Sequence, residues 1–297
     1  MNIGVVHNKQ DRTTGGRYHR AFTELGHDTT YYDYNANPDT NNMGHHDFVL
    51  MIDNADWHIY PPVKDSLALY YAVDTGIEGG QRCLSQSRNM NFHFYAQKRN
   101  ADLFIPDSSA WLPHAFDDTI ADDCDERFVG RQILLSTVGD YESEFRKDRH
   151  NIRNLFNEFA KTHPCQMSNN MSMVEMYNLY YKSMFVLNHN TYLDSLEEKD
   201  INLRTFEAAG CGAIQLIDRK TAHLEELGFV HGETCLLYET DEEIFTLIEN
   251  LMRWPEVMRH ISTQSQRLIH RFHTYKHRAQ AIINTAQGLL NGQSRSS

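Results

Sequence analysis

Ile201-Asn202-Leu203-Arg204-Thr205-Phe206-Glu207-Ala208-Ala209-Gly210-Cys211-Gly212-Ala213-Ile214-Gln215-Leu216-Ile217-Asp218 is the stretch on which the reading of this chain turns. Asn202 is suited to cap a short helix, Gly210 to end it, and Ala213 to Ile217 read as a buried strand. A helix start offers backbone N–H groups to an anion, and Asn202, Arg204 and Thr205 sit beside it. Those groups suit the diphosphate of a nucleotide sugar, and a carboxylate at Glu207 can accept from both hydroxyls of a ribose. The competing reading is a purely structural helix–turn–strand unit of an α/β domain, in which the glycines only make a tight connection.

The rest of the chain bears on that choice. With 297 residues there is room for two domains of about 100–150 residues, each with its own core. Lys and Arg number 28 against 40 Asp and Glu, and the net charge of −12 argues against a broad nucleic-acid or anionic-membrane surface, though not against a local basic groove. The chain enters a strand directly from Met1-Asn2-Ile3-Gly4, and no apolar run approaches the length of a membrane span. A cytoplasmic protein is expected. The five cysteines are far apart with no C-x-x-C pair, so neither a disulfide framework nor a thiolate zinc site is indicated, and no metal site is expected.

Short apolar runs at Asn2–Val6, Asp47–Ile52, Leu67–Val73 and Asp102–Ile105 read as strands. A helix at Arg17–Leu25, closed by Gly26, and a strand at Thr29–Tyr34 complete a β-α-β order, which implies parallel strands with helical crossovers. After an acidic, non-periodic tract the alternation restarts. Gln132–Val138 and Met184–Asn188 read as strands, Asp148–Ala160 and Ser172–Lys182 as helices, and the chain beyond Trp254-Pro255 as mostly helical to about Leu290. Ser172-x-x-Glu175 and Thr240-x-x-Glu243 are capping-box patterns. The expected domains are residues 1–120, 121–272, and a C-terminal helix with a frayed tail over 273–297.

Ligands of parallel sheets sit off the carboxyl ends of the strands, so residues just past each strand are the candidates. Gly16, in Thr13-Thr14-Gly15-Gly16-Arg17, lets backbone approach an anion at a helix start, but the pattern is neither a dinucleotide fingerprint nor a P-loop. His7, Asp53 and Asp74 follow strands, and Asp74 or His7 is the expected base for an acceptor hydroxyl. His114 falls near the domain boundary, where it can reach a cleft or pack. Gly139 closes a strand in Val138-Gly139-Asp140, and Arg146 or Arg149 after it can neutralise a leaving diphosphate. Arg267, Arg271, Lys276 and Arg278 can form a basic stripe.

The run Arg204-x-Phe206-Glu207-Ala208-x-x-Cys211-Gly212 resembles the signature of CgeB-like, spore-maturation type glycosyltransferases, which are similar to the wider GT-B group. Gly232-Glu233-Thr234, Trp254-Pro255, His273-Thr274-Tyr275-x-x-Arg278-Ala279 and, upstream, Trp111-Leu112-Pro113 and Tyr71-Ala72-Val73-Asp74 extend the resemblance. It implies an α/β fold of two Rossmann-like, doubly wound parallel-sheet domains facing across a cleft, with donor bound mainly by the second and acceptor by the first. It also implies a metal-independent hexosyl- or pentosyltransferase with no cofactor beyond a UDP- or GDP-linked sugar as co-substrate. Glu207 carries over as the ribose ligand and Arg204 as a diphosphate contact. The hydroxyl acceptor is a small molecule, glycan, protein or hydroxymethylated DNA base; the alternative is a non-catalytic nucleotide-binding or scaffold protein. One departure stands out: retaining relatives carry a glutamate eight positions before the ribose ligand, and here that position is Lys199.

Overall fold

The computed structural model describes residues 1–8, 13–36, 43–55, 57, 59–75, 80–122, 130–141, 149–190 and 199–293. The chain divides into two compact units. One comprises Met1–His114 with Thr274–Ser297, and the other Ala115–His273.

The first unit holds a six-stranded, wholly parallel sheet. Its strands are β1 (Asn2–His7), β2 (Asp28–Asp33), β3 (Phe48–Ile52), β4 (Leu67–Ala72), β5 (Phe92–Tyr95) and β6 (Ser109–Trp111), in the order β2-β1-β3-β4-β5-β6. Every residue of Phe48-Val49-Leu50-Met51-Ile52 and of Leu67–Ala72 is buried, as parallel strands covered on both faces require. Helix α1 (Thr14–Glu24) begins three residues earlier than the sequence suggests, because the Thr13 hydroxyl accepts from Gly16 N. Tyr18 and Phe22 of α1 are buried, and Tyr18 meets Tyr71 edge-on at 5.3 Å and Tyr275 at 5.1 Å. Tyr275 opens α9 (Tyr275–Gln293), which packs against α1 and is pinned to it by a Lys276–Glu24 ion pair of 2.7 Å.

The sequence reading of a strand at Asp102–Ile105 is not realised. Asn100 adopts φ 56°, and a 3-10 turn over Ala101–Leu103 follows, closed by Leu103 N to Asn100 O. The strands lie on either side of that turn, in β5 and β6, with α2 (Gln81–Gln86) preceding them. The basic stripe is also corrected. Arg278 is buried, its Nε donating to Pro113 O at 2.7 Å and its Nη2 to His114 O at 3.1 Å, so it presents no charge to a partner.

The second unit holds a five-stranded parallel sheet in the order β11-β10-β9-β7-β8, formed by β7 (Ile133–Val138), β8 (Cys165–Ser168), β9 (Ser183–Asn188), β10 (Ile214–Asp218) and β11 (Leu236–Tyr238). Around it run α3 (Asp118–Asp122), α4 (His150–Phe159), α5 (Met173–Lys182), α6 (Arg204–Gly210), α7 (Asp241–Leu251) and α8 (Pro255–Phe272). Both capping patterns act at helix starts. Ser172 and Glu175 form the complete reciprocal box, whereas the Thr240 hydroxyl accepts from Glu243 N while the Glu243 carboxylate turns to Glu239 N. Leu135, Phe185, Leu187 and Leu216 form the core with Ile152 and Phe156 of α4 and Ile244 and Ile248 of α7. At the amino ends of the strands Arg131 gathers the carbonyls of Tyr180, Tyr181, Ser183, Cys211 and Gly212, which would otherwise be left unpaired where helices and strands meet.

In each sheet the strand order reverses once, between β1 and β3 in the first unit and between β7 and β9 in the second. The crossover helices leave such a point in opposite directions and open a crevice at the carboxyl ends of the two strands. Among the described residues no helix is long and apolar enough to cross a membrane.

Candidate functional site

In the second unit the crevice is framed by Gly139, just past β7, and by Asn188 and His189 at the end of β9. Gly139 has φ 158°, and a Cβ there would lie 3.0 Å from Arg149 Nη1 and 3.5 Å from Arg204 Nη2. Two guanidinium groups thus converge over a residue with no side chain, leaving the backbone open to a ligand. Arg149 is buried, donates Nη1 to Asp140 O at 2.9 Å and lies over the Tyr141 ring at 5.2 Å. Arg204 donates Nη1 to Asn188 Oδ1 at 3.4 Å, and its Nε meets no acceptor among the described residues. Burial works to lower the Arg204 pKa, but Tyr180, Tyr141 and Glu207 outweigh it, so its pKa is raised and the charge is permanent.

Asn202 organises the start of α6. Its Oδ1 accepts from Thr205 N at 3.0 Å and from the Thr205 hydroxyl, and its Nδ2 donates to Asn188 Oδ1 at 2.9 Å and to Asn190 Oδ1. Asn188 in turn donates to the Thr205 hydroxyl and to Gln215 Oε1, so both ends of its amide are used. The N–H groups of Phe206 and Glu207 donate to Leu203 O. The first-turn donors that the sequence offered to an anion are therefore engaged within the helix, and the positive charge comes from side chains. Glu207 lies one turn past Arg204 and is buried.

Sequence reasoning missed two features here. His189 is buried with Nδ1 3.0 Å from the Tyr238 hydroxyl, and desolvation, then Lys199, Arg149 and Arg204, lower its pKa to about 3. The signal available was its place directly after an apolar run, the same rule that selected His7. Lys199 is buried in a 2.5 Å ion pair with Asp218, so the position where retaining relatives carry an acid holds a neutralised lysine. Arg146, Glu197 and Glu198 lie outside the described residues.

In the first unit His7 and Asp53 meet at the crevice between β1 and β3, His7 Nε2 donating to Asp53 O at 3.2 Å. Burial lowers the His7 pKa. Asp53 accepts from Arg82 Nη2 at 2.9 Å in a buried ion pair, and its Oδ2 also receives Asp74 N at 3.3 Å. Asp74 has a raised pKa, through burial first and the Asp53 charge second, with Arg82 opposing. Gly16 is buried at the start of α1. His114 is buried, and desolvation with the charges of Arg17 and Arg278 pushes its pKa down to about 3. Among the described residues no group of three or more His, Cys, Asp or Glu is placed to hold a metal ion.

Comparison with known proteins fits this geometry. Residues 142–284 match a family model described as glycosyl transferase-like. No curated protein sequence matches the chain. Among solved structures, an alpha-glucosyltransferase in complex with UDP and DNA containing an A:G mismatch superposes with a TM-score of 0.70 at 10% identity, covering 97% of this chain and 100% of that one. A sucrose-phosphate synthase from Thermosynechococcus elongatus gives 0.62 at 9% identity, covering 98% and 99%. HepE from Anabaena, in complex with UDP, gives 0.57 at 8%, covering 97% and 100%. The fold is of the GT-B type. Its two Rossmann-like units, each with an all-parallel sheet, are those the sequence implied.

Proposed function

We propose that the protein is a glycosyltransferase that moves a sugar from a UDP-linked donor to a hydroxyl acceptor without a metal ion. The observation that carries this reading is the pair Arg149 and Arg204 over Gly139, at the reversal of the second sheet, with Glu207 one helical turn away. Departure of a nucleoside diphosphate concentrates negative charge on the leaving group, and two fixed guanidinium groups meet that demand at the moment it arises. Each charge-assisted contact is worth about 1.5–3 kcal/mol. The Glu207 carboxylate holds the ribose hydroxyls, while Asn202, Thr205 and Asn188 fix the helix that carries Arg204 and Glu207.

The first unit handles the acceptor. A general base works best with a pKa nearer neutrality than an ordinary carboxylate has, and burial beside Asp53 moves Asp74 in that direction. His7 is the second candidate for the acceptor proton, and Gly16 gives backbone access beside it. The CgeB-like signature in residues 204–212 supports the same reading.

The test is incubation with UDP- and GDP-linked sugars and a panel of acceptors, following release of nucleoside diphosphate and the mass of the acceptor. Release that depends on acceptor supports transfer. Binding without turnover across the panel would favour a non-catalytic nucleotide-binding protein. DNA belongs in the panel because structural neighbours were solved on it, as alpha-glucosyltransferase complexes with UDP and DNA. The net charge of −12 weighs against DNA, so duplex binding that falls steeply with salt is required to keep it.

A further inference from the structure

We propose that His189 is a third contact to the donor's diphosphate, one that takes up a proton from solvent as the nucleotide sugar binds. The inference rests on the donor site assigned above. His189 follows Asn188, whose Oδ1 receives Arg204, and so stands at the end of β9 beside the crevice that Arg149 and Arg204 line. Its Nδ1 lies 3.0 Å from the Tyr238 hydroxyl. A phenol can donate to a neutral imidazole nitrogen or accept from a protonated one, so the same bond holds the ring in either charge state.

The charges around the ring make its protonation conditional. From the start of α4 comes Arg149, from α6 Arg204, and from the segment before it Lys199; burial and these three cations keep the imidazole neutral, with a pKa of about 3. The carboxylates on that side are accounted for. Asp218, ending β10, is paired with Lys199, and Asp241, opening α7, accepts from Asn151 Nδ2 at 2.8 Å and has a raised pKa, chiefly through burial. Tyr238 is likewise held protonated by burial. A donor diphosphate brings two negative charges against those cations and reverses the field at the ring, which raises the imidazole pKa. A side chain neutral in the empty site adds no repulsion to Arg149 and Arg204, and becomes a cation when the ligand arrives.

The experiment is calorimetric titration of the full chain with UDP-glucose between pH 5 and 7, in buffers of different ionisation enthalpy. UDP-glucose is a suitable probe because its diphosphate is a diester with both charges fixed in that range. The expected result is net proton uptake that grows toward one per ligand as the pH falls, with affinity rising in step. His189→Gln keeps an amide within reach of Tyr238 but cannot take a proton. It should remove the uptake and weaken binding at pH 5 by about tenfold, the loss of one hydrogen bond to a charged group. Binding with no proton uptake in the unsubstituted chain, or uptake unchanged in His189→Gln, overturns the inference and leaves the donor site standing. No binding of UDP-glucose or GDP-glucose at any pH overturns the donor site, and this inference falls with it.

Discussion

Replacing Arg204 by methionine removes a buried guanidinium while keeping much of its length. In the structure that group donates to Asn188 Oδ1 and stands beside Gly139 with Arg149, so the substitution halves the fixed positive charge converging on that glycine. A charge-assisted hydrogen bond to phosphate is worth about 1.5–3 kcal/mol, so affinity for UDP should fall by roughly 10- to 150-fold. The loss should be confined to the phosphates. Competition titrations with UDP and uridine on both proteins isolate it, because uridine meets Glu207 but not the guanidinium pair. Arg204→Lys, which keeps the charge but not the planar fork, should fall between the two. Equal weakening of UDP and uridine, or undiminished UDP binding in a folded Arg204→Met protein, would refute the assignment.

Other outcomes follow from the same geometry. Lys199→Met should destabilise the protein by about 3–5 kcal/mol in urea unfolding, because Asp218 is left as a buried charge, whereas the double replacement Lys199→Met with Asp218→Leu should recover much of that loss. Gly210→Ala places a methyl 2.3 Å from Phe116 Cδ2, an overlap that should cost about 1–3 kcal/mol in the melting profile and be relieved by Phe116→Leu. His114 is held neutral with a pKa of about 3, below its ordinary 6.5, so the unfolded chain binds the extra proton and stability falls as pH drops from 6.5 toward 3. His114→Gln should flatten that slope by up to about 1.4 kcal/mol per pH unit, read from denaturation at stepped pH.

The core strands were legible because they are buried on both faces. Phe48–Ile52, Leu67–Ala72 and Ile214–Asp218 present unbroken apolar or nearly apolar runs that no surface segment would carry. Strands of three or four residues were not. Cys165–Ser168, Ser109–Trp111 and Leu236–Tyr238 owe their state to a neighbouring strand rather than to any period within them. Asp102–Ile105 misled for the converse reason, since two apolar residues beside an acid fit a turn as well as a strand. At the site, Arg204 and Glu207 were visible from their spacing on α6. The Asn188–Asn202–Thr205 network was not, because its members are far apart in sequence and meet only once β9 and α6 are side by side. Arg278 illustrates the limit of counting charges: it looked like part of a basic surface, and it is spent on two main-chain carbonyls.

The claim that a nucleoside diphosphate is held beside β7 and β9 by Arg204 and Glu207 is tested most directly by calorimetric titration of UDP into the unsubstituted protein and into Glu207→Ala. Loss of the ribose contact while the fold is retained should leave single-site binding in the first and abolish or severely weaken it in the second. Silence of the unsubstituted protein toward both UDP and GDP, or undiminished UDP binding in Glu207→Ala, would contradict it.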